Sequence, residues 1–126
     1  MFNLTIDWTS PLAKKKEVPK QISGILIEPS GAVSEILCDN SLQSLWNNVG
    51  GYVERVALKD GADAFVNEDG RRLNLPPNPK AQLLVESHGE HPVNGTIVGT
   101  ALILGGVDAR GDSSDVPPWV MEHLGQ

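Results

Sequence analysis

GTIVGTALILGG, residues 95–106, is the most apolar run in the chain. It is too short to cross a bilayer as a helix, which needs about 20 apolar residues. Its β-branched side chains suit a strand instead. Ile103 and Leu104 adjoin, and on a strand neighbouring side chains point to opposite faces. Both can be core residues only if the sheet is covered on both sides. The run therefore predicts a central strand.

The sequence around it supplies the partners. In QISGILIEPSGAVSEILC, two β-rich segments, Ile22–Glu28 and Ala32–Leu37, flank Pro29-Ser30-Gly31 and predict a hairpin. Leu42, Leu45, Trp46 and Val49 follow at helical spacing, with Asn40 or Ser41 as cap and Gly50 as the left-handed stop. Leu45 and Trp46 join Ile103 and Leu104 as expected core residues. Residues 52–75 read as two or three strands, broken at Asp60-Gly61 and Asp69-Gly70. Asn78-Pro79 opens a second helix that stops near Gly89. Pro117 and Pro118 start a last one, docked by Trp119, Val120 and Leu124. The order ββαββ(β)αβα predicts an α+β fold: one small domain over residues 21–126, with a mostly antiparallel sheet and two or three short helices.

Residues 1–20 stand apart as an N-terminal arm or swapped strand. Phe2, Leu4, Ile6 and Trp8 alternate as a strand would, and Lys14, Lys15 and Lys16 follow them. The arm carries four lysines against two acids. The other 106 residues carry six basic against fourteen acidic side chains, within a net charge of -6. An acidic body argues against nucleic acid, whose phosphates demand a dense basic surface. Cys38 is the single cysteine, which excludes an internal disulfide and multi-cysteine zinc sites. With no membrane segment and no secretory leader, the expected setting is a reducing cytoplasm.

Four stretches carry a resemblance: GILIEPSG, GGYVERVAL, FVNEDGRRLNLPPNPKAQLL and GTIVGTALILGG. At its centre stand Asn67-Glu68-x-Gly70 and Leu75-Pro76-x-Asn78-Pro79-x-Ala81, followed by Gly99-Thr100. Over residues 22–108 the chain resembles a family of small, functionally uncharacterised proteins of bacteriophages, plasmids and their bacterial hosts. The resemblance implies an accessory protein of a mobile element in a bacterial cell, and no particular activity.

Several residue groups invite a chemical reading. Arg71 and Arg72 follow a turn and, on a strand, would face opposite sides, so only one can enter a given pocket. With Asn67 and with Asn78 at a helix start, one arginine could grip an anion. The structural alternative is a corner: Asn78 caps, Asn67 supports the turn, and the arginines pair with Glu68 and Asp69. His88, Glu90 and His91 resemble part of a metal site, but the Pro-Cys-x-x-Cys that completes a zinc deaminase signature is missing, and a surface loop is the expected setting. No Gly-x-Ser-x-Gly, dinucleotide fingerprint or phosphate-binding loop occurs. Cys38 reads as a small buried residue.

These observations favour a non-enzymatic interaction module that binds and modulates a host or phage protein, with Trp8 and Trp119 as aromatic anchors. The alternative is a binder of a small anionic ligand such as a nucleotide signal, gripped by Asn67, Arg71, Arg72 and Asn78, with homo-oligomers allowed. Neither reading calls for a cofactor or a metal.

Overall fold

The structure is a computed structural model that describes residues 21–39, 41–91, 95–107, 109 and 111–124, without the side chain of Leu42. The expected arm of residues 1–20 with Trp8, and Asn40 as alternative cap, lie outside the described residues.

The predicted hairpin forms from β1 (Gln21–Ile27) and β2 (Val33–Asp39). Its turn closes with Gly31 N–H donating to the Glu28 carbonyl at 2.8 Å, and Gly31 has φ 96°, where glycine is unstrained. Helix α1 (Leu42–Val49) follows, with the Ser41 hydroxyl accepting from Ser44 N–H at 3.1 Å and Gly50 left-handed at its end. β3 (Val53–Leu58) and β4 (Ala62–Asn67) form a second hairpin through Asp60-Gly61, both at positive φ. Next come helix α2 (Pro79–His88), β5 (Ala101–Val107), the two-residue β6 (Ser113–Ser114) and helix α3 (Pro118–Leu124).

The strands form one antiparallel sheet in the order β2-β1-β5-β4-β3, with β6 added at the far end of β5. The central apolar strand pairs Ile103 with Ile25 on one side and with Ala64 on the other. Ala101 and Ile103 face one core with Ile25, Ile27, Ala64 and Val66, under Ala81, Leu84 and Val85 of α2 and Val120 and Leu124 of α3. Leu102 and Leu104 face the other with Ile22, Cys38 and Phe65, under Leu45 and Val49 of α1. Ile103 and Leu104 are both fully buried, as a sheet covered on both faces requires. The class is α+β, a small single domain.

Three expectations need correction. Of the two or three strands expected over residues 52–75, β3 and β4 form, and Arg71 and Arg72 do not lie on a strand. The Asn67 Oδ1 accepts from Asp69 N–H at 2.8 Å, and Leu73 N–H and Asn74 N–H then bond back to the Asp69 and Arg71 carbonyls at 2.9 and 3.0 Å. This local winding ends the ladder, so Arg71 and Arg72 sit on a turn. Trp46 is half-buried and joins neither core; its ring meets Tyr52 edge-on, with centroids 4.9 Å apart. The pair Ser113–Ser114 adds a short strand between β5 and α3 that the expected order ββαββ(β)αβα does not contain.

Candidate functional site

The Asn67–Leu84 corner joins β4 to α2, and its two buried asparagines hold it. Asn78 is fully buried. Its Oδ1 accepts from Ala81 N–H at 3.2 Å, the expected cap, while its Nδ2 donates to the carbonyls of Ile27 at 2.9 Å and Gly99 at 2.8 Å. Both N–H donors of that amide are engaged from within, so neither is left to meet an anion. Asn67 is also buried, and besides accepting from Asp69 its Nδ2 donates to the Val49 carbonyl at 3.3 Å. Both residues do what the structural reading of the corner expects.

The arginines separate. Arg72 pairs with Asp69 at 3.3 Å, and both side chains are exposed. Arg71 turns the other way, with its guanidinium seated against Gly95; a Cβ at position 95 would collide with it. Strand alternation predicted that only one arginine would enter a pocket. The outcome holds, but a turn is the cause.

Two concavities flank Asn67. The larger, about 450 Å³, includes Glu54, Val56 and Val66 of the β3–β4 hairpin, Glu68 and Arg71 of the corner, and His91, Thr96 and Ile97 of the loop before β5. The smaller, about 320 Å³, is a shallow aromatic cleft formed by Trp46, Gly50, Gly51, Tyr52, Asn67, Asp69 and Leu73. A Cβ on Gly51 would come within 2.9 Å of Asn67 Nδ2, so the close approach of the α1 exit to the corner needs a residue without a side chain. Tyr52 is 61% exposed and Leu73 50%, two large apolar-bodied side chains lining one cleft. Composition gave no hint of this cleft, because Tyr52 and Leu73 come together only through the turn after β4.

The remaining candidates are structural in their contacts. Trp119 packs against the α2 and α3 core and donates from Nε1 to the Asp60 carbonyl at 2.9 Å. His88 lies on its ring, with centroids 4.4 Å apart, and meets His123 edge-on. His91 lines the larger groove. Among the described residues no cluster of three or more His, Cys, Asp or Glu side chains has metal-binding geometry. Cys38 is buried; that burial, and then the Asp39 charge, push its thiol pKa up, against a smaller downward pull from a hydrogen bond to Ser44. It is held as the unreactive thiol.

Comparison with known proteins returned no match among curated proteins and none among solved structures. A family model does match, over residues 22–126. This reaches well past Asp108, where the resemblance was expected to stop. The physical reason is α3, whose Val120 and Leu124 complete the core that Ile103 enters, so the C-terminal segment belongs to the domain. The chain belongs to the family described as Domain of unknown function (DUF3846).

Proposed function

We propose that the protein is a non-enzymatic accessory module of a phage or other mobile element, acting in the bacterial cytoplasm by binding and modulating a host or phage protein. The phage or plasmid setting comes from the sequence resemblance over residues 22–108. The observation that carries the binding role is the cleft of Trp46, Tyr52 and Leu73. Large side chains held at the surface by their own neighbours suit a binding anchor, since little further ordering is needed when a partner covers them. Trp46 and Tyr52 already brace each other, and Gly50 and Gly51 line the same cleft without side chains. The anchors are therefore reassigned from Trp119, whose indole N–H is bonded inside the molecule, to this cleft.

The test is affinity purification from infected or plasmid-bearing cells with the wild-type protein and a Tyr52→Ala, Leu73→Ser variant. Both substituted residues are exposed, so the variant should keep its melting temperature and lose a stoichiometric partner. Retention of the same partner by the variant would remove the cleft from the interface. Absence of any stoichiometric partner for the wild type would remove the role itself.

A further inference from the structure

The larger groove plays no part in that role, and its chemistry is different. Its floor is apolar: Val66 and Ile97 are buried core residues and Val56 packs against them. Its rim carries charge of both signs. Glu54 lies opposite Val66 in the β3–β4 register, and Glu68, on the turn just after β4, lines the same groove. Arg71, Thr96 and His91 come from the corner and the loop. Gly95, at φ 101°, gives Arg71 a seat that no other residue would leave free.

We propose that this groove binds a short peptide as a zwitterion. Its carboxylate lies on Arg71, its ammonium beside Glu54 and Glu68, and an apolar side chain covers Val56, Val66 and Ile97. The lining selects against the other small-ligand classes. Glu54 and Glu68 stand against Arg71 and Arg55, the latter already paired with Asp63, so a nucleotide would bring several negative charges against the glutamates and a simple cation would meet the guanidinium groups. A zwitterion satisfies both signs, and the cavity of about 450 Å³ lies in the range of small-ligand pockets. The expected nucleotide-type ligand is thereby replaced by one of near-zero net charge.

Thermal unfolding with chemically blocked probes tests this. Leucyl-leucine at millimolar concentration should raise the melting temperature by a few degrees. N-acetyl-leucyl-leucine, which lacks the ammonium, leucyl-leucine amide, which lacks the carboxylate, and adenosine monophosphate should not. Arg71→Ala should abolish the response and Arg72→Ala should keep it. If Arg71→Ala folds poorly, the Glu54→Gln, Glu68→Gln double variant, altered only at exposed positions, should abolish it instead. No shift with leucyl-leucine, an equal shift with either blocked form, or a response that survives these substitutions would overturn the proposal. Because the readout needs no protein partner, its failure leaves the aromatic cleft untouched.

Discussion

Asn78 ties the start of α2 to the end of β1: its Nδ2 donates to the Ile27 carbonyl at 2.9 Å, across 51 positions of chain. The same nitrogen donates to Gly99 before β5, and Asn78 N–H bonds the Ile97 carbonyl at 2.9 Å. One buried side chain thus fixes the helix against the two central strands.

A lost helix cap alone costs about 1 kcal/mol. Asn78→Ala would also leave two buried carbonyls without their donor, each worth about 1–3 kcal/mol. The expected loss by urea unfolding is therefore about 3–7 kcal/mol. Asn78→Asp is the sharper variant. Aspartate caps helices as well as asparagine, but here it would point an oxygen at the Ile27 and Gly99 carbonyls. If Asn78→Asp matched the wild type, the cap would be the whole role.

Arg72 is expected to be nearly neutral. Its bond to Asp69 joins two exposed side chains, and such pairs contribute about 0–1 kcal/mol, screened further by salt. Arg72→Ala should unfold at the wild-type urea midpoint within error. A clear loss that persists in high salt would show that Arg72 does more than pair with Asp69.

Much of this architecture was legible in the sequence because the relevant signals are local. Pro29-Ser30-Gly31, Ser41, Gly50, Asp60-Gly61 and Asn78-Pro79 each mark a turn or cap by their own chemistry, and each does so in the structure. The adjacent Ile103 and Leu104 even foretold a sheet covered on both faces. What stayed hidden depends on contacts distant in sequence. Asp69-Gly70 looks like a hairpin turn, but Asn67 diverts the chain into consecutive tight turns. Trp46 fits the apolar spacing of α1, yet it lies at the edge of that face and meets Tyr52 instead of the core. Arg71 has meaning only beside Gly95, far along the chain.

Cys38 gives a dependence on pH. Its folded-state pKa is raised, first by burial and then by Asp39. Stability from the neutral thiol is fully present below the ordinary thiol pKa and is lost as pH rises through the raised one, because the unfolded chain ionises first. Urea midpoints of the wild type should therefore fall at alkaline pH more steeply than those of Cys38→Ala. Parallel profiles would mean that the thiol titrates alike in both states.

Trp46→Ala is expected to cost less than removal of a core tryptophan, which takes about 3–5 kcal/mol. Its ring is half-buried and outside both cores, so a loss of about 1–2 kcal/mol is expected from the area left to uncover. Tyr52→Ala should stay within about 0.5 kcal/mol of the wild type. A collapse in either variant would make the cleft a structural joint and remove the grounds for treating it as an anchor.

The last prediction concerns Arg55 and Asp63. Arg55 Nε lies 3.0 Å from Asp63 Oδ1; the arginine side chain is half exposed and the aspartate is 2% exposed. The second carboxylate oxygen, Oδ2, is buried without a hydrogen bond among the described residues. With one partner in water, the attraction is screened, and the pair's net contribution is about 0–1 kcal/mol. Removing the arginine has a different effect, because the carboxylate stays buried and loses the counter-charge of Arg55. Arg55→Met should therefore destabilise by about 1–3 kcal/mol, more than the pair itself contributes. Asp63→Val in the Arg55→Met background should recover much of that loss, since an apolar residue on this strand leaves nothing to satisfy. A double-mutant cycle by urea unfolding separates the terms. If Arg55→Met alone proved as stable as the wild type, the buried carboxylate would have to be compensated by groups other than Arg55.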